Sequence, residues 1–333
     1  MRLLTAALIA LLPALALAQN DTEILLLGTA GGPPLRLNRS EPATLLIVDG
    51  RRYLIDCGIG TMRRLLRAGV PSQTIGTIFI THHHPDHDLG LADVMSNDFF
   101  EMNLANDHRS IDVYGPAPTK EIIDAAFRSI KIPYSILAAE PSALRAGLRN
   151  GEMTNPFVAH EIQHDGVVFQ DDKIRVVAAE NTHFSRLPAD LAAMKSYSYR
   201  FETPHGTVVF TGDTGPSDAV VKLAKGADVL VSEVEDLAES MKFVHALGEK
   251  NHWPADRTNG MIAHMKQAHL DLPDVAEIAT KVGVKSVVLY HFNPKNPAAH
   301  VAAVKKSFSG PVFAGADLDR YCLNGSRFGL CAK

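Results

Sequence analysis

The sequence predicts a mixed α and β fold that carries its chemistry at strand ends, on three observations. Short apolar runs bounded by Gly, Asp or Asn recur along the chain, first clustered and then alternating with helix-like segments. Four of these runs are followed within a few residues by a metal-binding residue type: His82, His183, Asp213 and His291. One of the four opens the block Ile80-Thr81-His82-His83-His84-Pro85-Asp86-His87, which is dense in imidazole and carboxylate.

Strands are predicted over Ile24–Leu27, Thr44–Val48, Tyr53–Ile55, Thr77–Ile80, Ile111–Tyr114, Val167–Phe169, Ile174–Ala178, Thr207–Phe210, Val229–Val231 and Ser286–Tyr290. Each is short, rich in β-branched or aromatic residues and flanked by turn formers. Helices are predicted over Met62–Ala68, Thr119–Ser129, Pro216–Lys225 and Leu272–Val282, where apolar residues recur with helical period.

Before the first strand, Arg2 is the only charge among residues 1–18, an apolar run follows it, and Ala16-Leu17-Ala18 resembles a small-x-small cleavage site. This reads as a signal peptide over 1–18, with the mature chain periplasmic or secreted and no stable membrane insertion after cleavage. The run is shorter than the ~20 residues a spanning helix needs. Near the other end, Cys322 and Cys331 bracket a polar loop and are expected to pair as a disulfide in an oxidising compartment, while Cys57 reads as a buried thiol. The net charge of -4 and the lack of a basic run argue against a nucleic-acid partner.

In the His-rich block, His82 and His84 are two apart, so on an extended strand end they face the same way and His83 faces the other. Asp86 and His87 begin the next turn and can reach a second metal. Two ligand pairs offset in this way suit two adjacent ions better than one, and nitrogen and oxygen donors of this kind suit zinc, with manganese and iron also open.

His82-x-His84-x-Asp86-His87 resembles the signature of the metallo-β-lactamase superfamily. Further resemblance lies in Glu23-Ile-Leu-Leu-Leu-Gly-Thr-Ala-Gly-Gly, Leu54-Ile-Asp-Cys-Gly-Ile-Gly-Thr, Val113-Tyr-Gly-Pro, Val209-Phe-Thr-Gly-Asp213-Thr and Val288-Leu-Tyr-His291-Phe. These look like the branch that holds tRNase Z, secreted arylsulfatase-like enzymes and phosphodiesterases. The resemblance implies an αββα sandwich, with residues 19–333 as one catalytic domain and two divalent metals at one edge of it. One metal would take His82, His84 and His183, the other Asp86, His87 and His291, and Asp213 would bridge them. Two such ions would share a water and present hydroxide near neutral pH, with Asp86 orienting it or accepting its proton. His269, in Gln267-Ala268-His269, resembles a histidine that contacts the scissile group. Glu233 resembles a carboxylate that orients a ligand imidazole, and Asp56 is a candidate for the same work.

The expected substrate is a small sulfate or phosphate ester. A tRNase Z usually has a Gly-rich arm, and the short step from His183 to Asp213 leaves no room for one, so tRNA processing is disfavoured. Lactone or β-lactam hydrolysis, or metal binding without turnover, are the alternatives, and a homodimer is left open. Specificity is expected from three flanking loops: Phe99-Phe100-Glu101-Met102; the insert Asp236–Gly260 with Trp253; and Phe184–Lys195, where Arg186 could meet an anion.

Overall fold

The computed structural model describes residues 21–32, 34–141, 154–325 and 327–332. The leader expected at 1–18 lies outside the described residues. The chain enters through β1 (Thr22–Gly28), β2 (Ala43–Val48), β3 (Arg51–Ile55), β4 (Ile75–Phe79), β5 (Ile111–Pro116) and β6 (Phe157–Ile162). It continues through β7 (Gly166–Gln170), β8 (Arg175–Glu180), β9 (Tyr197–Thr203), β10 (Gly206–Phe210), β11 (Val229–Glu233), β12 (Ser286–Tyr290) and β13 (Val312–Ala314). It closes with β14 (Arg320–Asn324) and β15 (Arg327–Leu330), whose hairpin is tied by the Cys322–Cys331 disulfide.

Among the described residues these strands form an eight-stranded sheet, ordered β15-β14-β1-β2-β3-β4-β5-β6, and a seven-stranded sheet, ordered β13-β12-β11-β10-β9-β8-β7. Alternate side chains of a strand point to opposite faces, and here both faces are covered. Ile24 and Leu26 of β1 enter the core between the sheets, where Phe79 meets Phe201 edge-on at 5.2 Å. Leu25 and Leu27 face outward onto Met62, Leu65, Val94, Met95, Ile123 and Phe127. On the far side, Val209, Leu230, Val287 and Leu289 pack under Leu223, Val275, Ile278 and Val304. The result is two mixed sheets flanked by helices, and it explains why β1 and β2 read as unbroken apolar runs rather than as alternating ones.

Among the described residues, four helices longer than one turn escaped the sequence prediction: Leu91–Ala105, Leu237–Lys250, Ala255–Ala268 and Pro297–Val304. The first corrects the placement of Phe99 and Phe100. They lie inside a helix, not a loop, and its buried residues Leu91, Val94, Met95, Asp98, Phe99 and Met102 follow helical spacing. Phe99 packs on Phe127 and Tyr134, so it belongs to the core and not to a substrate loop. Half-buried Phe100 rests against Tyr134. The insert expected to be a loop is a helical hairpin, and Trp253 sits at its corner beside Gly248 and beneath the Arg257 guanidinium at 4.3 Å.

Asp98 is the misfit on the helix Leu91–Ala105. It is 1% exposed; Ser72 donates to Oδ1, and Oδ2 has no partner. Burial pushes its carboxyl up to about 6. The folded chain therefore holds a proton there that the unfolded chain releases near pH 4, and this stabilisation is lost as pH rises through about 6. We predict that Asp98→Asn stabilises the protein by about 2 kcal/mol near pH 7 and by far less near pH 4. Chemical denaturation at the two pH values checks this; a difference that does not change with pH would refute it.

Candidate metal centre

The centre lies beyond the carboxyl ends of β4, β8, β10, β11 and β12, where an open sheet leaves a crevice that loops can fill. After β4 the backbone runs extended to His84, which precedes the one-turn helix Pro85–Asp88. Asp56, just after β3 with a left-handed φ of 57°, holds this segment. It accepts the Thr81 N–H at 2.7 Å, the Thr81 hydroxyl at 2.9 Å and His87 Nδ1–H at 2.9 Å. His83 points away, tied to Asp88 at 2.8 Å and to the Pro116 carbonyl at 3.0 Å.

Distant strand ends supply the remaining groups. His183 Nδ1–H donates to the Ala268 carbonyl at 2.8 Å, and its Nε2 lies 3.2 Å from His84 Nδ1. The Asp213 carboxylate sits at the middle. Its Oδ2 is 3.3 Å from His291 Nε2, 3.9 Å from His82 Nε2 and 4.0 Å from His183 Nε2, and its Oδ1 is 3.4 Å from His87 Nε2. Asp86 Oδ2 lies 3.3 Å from His291 Nε2 and 3.6 Å from His87 Nε2. Donor atoms of His82, His84, His183 and Asp213 thus form one metal-sized group and those of Asp86, His87 and His291 a second, while Asp213 and His291 also form a third with Glu233 and His269.

This geometry suits divalent metal. Hydrogen bonds at Nδ1 of His87 and His183 turn each Nε2 inward; on His183 it is a bare acceptor, and on His87 a metal would replace the proton that the surrounding carboxylates attract. His82 Nε2, His87 Nε2 and Asp213 Oδ1 are buried without hydrogen-bond partners, a costly state that a bound cation would relieve.

The charges agree. Burial lowers the pKa of His82 well below the imidazole range and that of His183 to about 3, so both are neutral, as ligation requires. Burial would raise Asp213 and Asp86, but nearby imidazoles outweigh it: His291 and His87 hold Asp213 well below the carboxylate range, and His87 and His291 hold Asp86 at about 2. In return Asp213, Asp56 and Asp86 lift His87 far above its usual value despite burial. The cluster is a set of buried carboxylates that calls for positive charge.

Glu233, at the end of β11, departs from its expected role. It was expected to orient a ligand imidazole, yet His291 Nδ1 is 3.8 Å away, too far for a hydrogen bond. Instead Oε2 accepts from His269 Nδ1 at 2.9 Å, and Oε1 accepts the backbone N–H groups of Thr214 at 2.8 Å and Leu270 at 3.3 Å. Burial alone would lower His269, but Glu233 raises it to about 10. His269 Nδ1 lies 3.9 Å from Asp213 Oδ2, so this protonated ring borders the metal groups.

Two neighbours were not assigned roles from the sequence. The Phe184 ring lies 5.4 Å from His82, 5.0 Å from His84 and 5.0 Å from His183, and forms an apolar wall of the centre. His264, on the helix Ala255–Ala268, lies 5.7 Å from His269, a position that only the tertiary fold reveals. Arg186 is exposed on the loop that follows His183.

A family model described as a beta-lactamase superfamily domain matches residues 51–292. Ribonuclease Z of Mycolicibacterium gilvum (strain PYR-GCK) is 28% identical over 317 residues, covering 93% of this chain and 98% of that protein. Ribonuclease Z of Mycobacterium marinum (strain ATCC BAA-535 / M) is 28% identical over 304 residues, covering 90% and 97%. Among solved structures, the metallo-beta-lactamase fold protein YhfI from Bacillus subtilis superposes with a TM-score of 0.62 at 17% identity, covering 91% of this chain and 100% of that one. Human tRNase Z, short form, superposes with a TM-score of 0.61 at 20% identity, covering 90% and 98%. The two structural likenesses concern the fold.

The ribonuclease Z relatives correct two expectations: that tRNA processing is disfavoured, and that nucleic acid is not a partner. They align over nearly their whole lengths, so the likeness spans the chain and is not confined to the His-rich block. A net charge of -4 is a whole-chain sum, whereas RNA contact depends on where the cations sit. The expectation of a small sulfate or phosphate ester falls with these two. The buried His/Asp cluster, the two mixed sheets flanked by helices and the family match agree: the chain belongs to the metallo-β-lactamase superfamily of metal-binding hydrolases.

Proposed function

We propose that this chain is a ribonuclease that hydrolyses phosphodiester bonds in RNA with two divalent metal ions, zinc being the ion its donors suit best. The observation that carries the reading is the convergence of two donor groups on Asp213, with a protonated His269 alongside, in a chain whose relatives are named ribonuclease Z. His82, His84 and His183 would hold one ion, Asp86, His87 and His291 the other, and Asp213 would touch both. When bound, such ions would supply Lewis-acid charge against phosphoryl oxygens and make water a better nucleophile.

The chain's own groups do the rest. Asp56 and the Ala268 carbonyl keep the His87 and His183 rings turned inward. Asp86, beside His291, would accept a proton from the attacking water, and His269, whose pKa Glu233 raises, would give one to the leaving oxygen. Phe184 keeps bulk water from one side.

Export forms the second part of the reading. It rests on the leader-like segment at 1–18 and on the Cys322–Cys331 disulfide, which suits an oxidising compartment. The test is metal analysis of protein purified without added metal, joined to cleavage assays on precursor tRNA and on unstructured RNA. Close to two ions per chain and RNA cleavage that a chelator lowers at least ~100-fold are expected. Metal-loaded protein that leaves both RNAs intact would overturn the reading.

A further inference from the structure

A cleft of about 210 Å³ opens between the loop after β8 and the helix Ala255–Ala268, and His183 forms part of its wall. It therefore adjoins the metal centre. The helix side is built from Gly260, Ala263, His264 and Gln267. Their spacing of three, four and seven residues puts them on one helix face, a pattern that in most globular helices is apolar and packed. Here the face is small and polar, and a Cβ added at Gly260 would meet open space. The residues give up packing to leave room.

The one full charge of the lining is positive. Arg186 stands there with the uncharged donors His264 and Gln267 and with no Asp or Glu, although the whole chain carries net charge -4. Arg186 is exposed on the cleft wall and has no ion pair among the described residues, so its guanidinium fork can take a phosphate. The cleft between the helices Asp218–Ala224 and Leu272–Val282 has the opposite balance, with Asp218, Asp274 and Glu277 against the single cation Lys281. His264 stands 5.7 Å from His269 and 6.1 Å from His183, so the cleft that Arg186 and His264 both line abuts the centre.

We infer that this cleft is the subsite for the phosphate of the nucleotide next to the scissile bond, with Arg186 and His264 as its specificity-determining residues. The inference rests on the ribonuclease reading. The volume fits this occupant, since it is below the ~300–1,000 Å³ of pockets that enclose a whole drug-sized ligand. A phosphate with its ribose enters; a folded RNA lies across the mouth.

The test compares two substrates. A short oligoribonucleotide offers the flanking phosphate, and bis(para-nitrophenyl) phosphate offers only the scissile one. In Arg186→Gln, and in Ala263→Leu, which fills the cleft, the ratio of kcat/KM on RNA to kcat/KM on the small diester is expected to fall about tenfold, through KM. In Arg186→Gln the slope of log(1/KM) for RNA against log salt should also become shallower by about 0.7–0.9, the signature of one lost phosphate contact. Wild-type protein that cleaves RNA, with both variants keeping its ratio and slope, overturns the subsite alone. Wild-type protein that cleaves the small diester but no RNA overturns the ribonuclease reading, and the subsite with it.

Discussion

Replacing Asp213 by alanine is expected to lower kcat/KM on RNA at least ~1000-fold and to leave one metal ion or fewer per chain. The reason is its position. His82, His87, His183 and His291 each place a ring nitrogen within 4.0 Å of one or other of its oxygens. It touches both donor groups, so its loss weakens both at once, whereas loss of a single imidazole weakens one. The fold should survive. Asp213 lies after the end of β10, and its carboxylate bonds no backbone group among the described residues, so metal-free protein should still fold, at a lower unfolding temperature because buried His87 and His291 lose a carboxylate partner. Metal analysis and steady-state kinetics on the same preparation check the prediction. Activity within about tenfold of wild type would remove Asp213 from the centre of the mechanism.

The parts of this centre that were legible in the sequence are those in which residue type and position speak together. His82, Asp213 and His291 could be read because each follows an apolar run, and a ligand-type residue at a strand end has little reason to be there for packing. The contact of His84 with His183, 99 residues apart in sequence, could be had only from family resemblance, since nothing local brings β4 and β8 together. Glu233 was found, but its partner was not: whether a buried carboxylate meets His269 or His291 depends on less than an ångström. The helix Leu91–Ala105 is hard to read from sequence although its apolar spacing is regular, because Asp98 interrupts the stripe and the adjacent pair Phe99-Phe100 breaks its period. The helical hairpin was missed because its helices bury little: of Ala255–Ala268, only Ala268 is buried. The substrate class was misread for a different reason. Composition reports the sum of charges, whereas recognition depends on their arrangement, and an acid-free cleft beside a carboxylate-rich centre leaves no trace in a net charge of -4.

His269 carries the second large effect. His269→Ala should lower kcat on RNA by about 100-fold to 10,000-fold, the range for loss of a general acid, with both metal ions retained. The split between activity and metal content separates this variant from Asp213→Ala. Glu233→Gln tests how the acid is kept charged. Burial on its own would lower the pKa of His269, and Glu233 is the largest influence that raises it to about 10. A group raised in this way is protonated, and active as a donor, below its pKa, and loses the proton as pH climbs through it. Removing the Glu233 charge lets burial dominate, so the alkaline limb of the pH–rate profile should move to lower pH in Glu233→Gln than in wild type. A merely structural glutamate would lower the rate equally at every pH. The Glu233 carboxylate also accepts the Thr214 and Leu270 N–H groups, and the glutamine carbonyl can keep those bonds, which makes the amide a cleaner probe than alanine. A profile of unchanged shape in Glu233→Gln, together with a His269→Ala rate within about threefold of wild type, would move proton donation away from this pair and onto water.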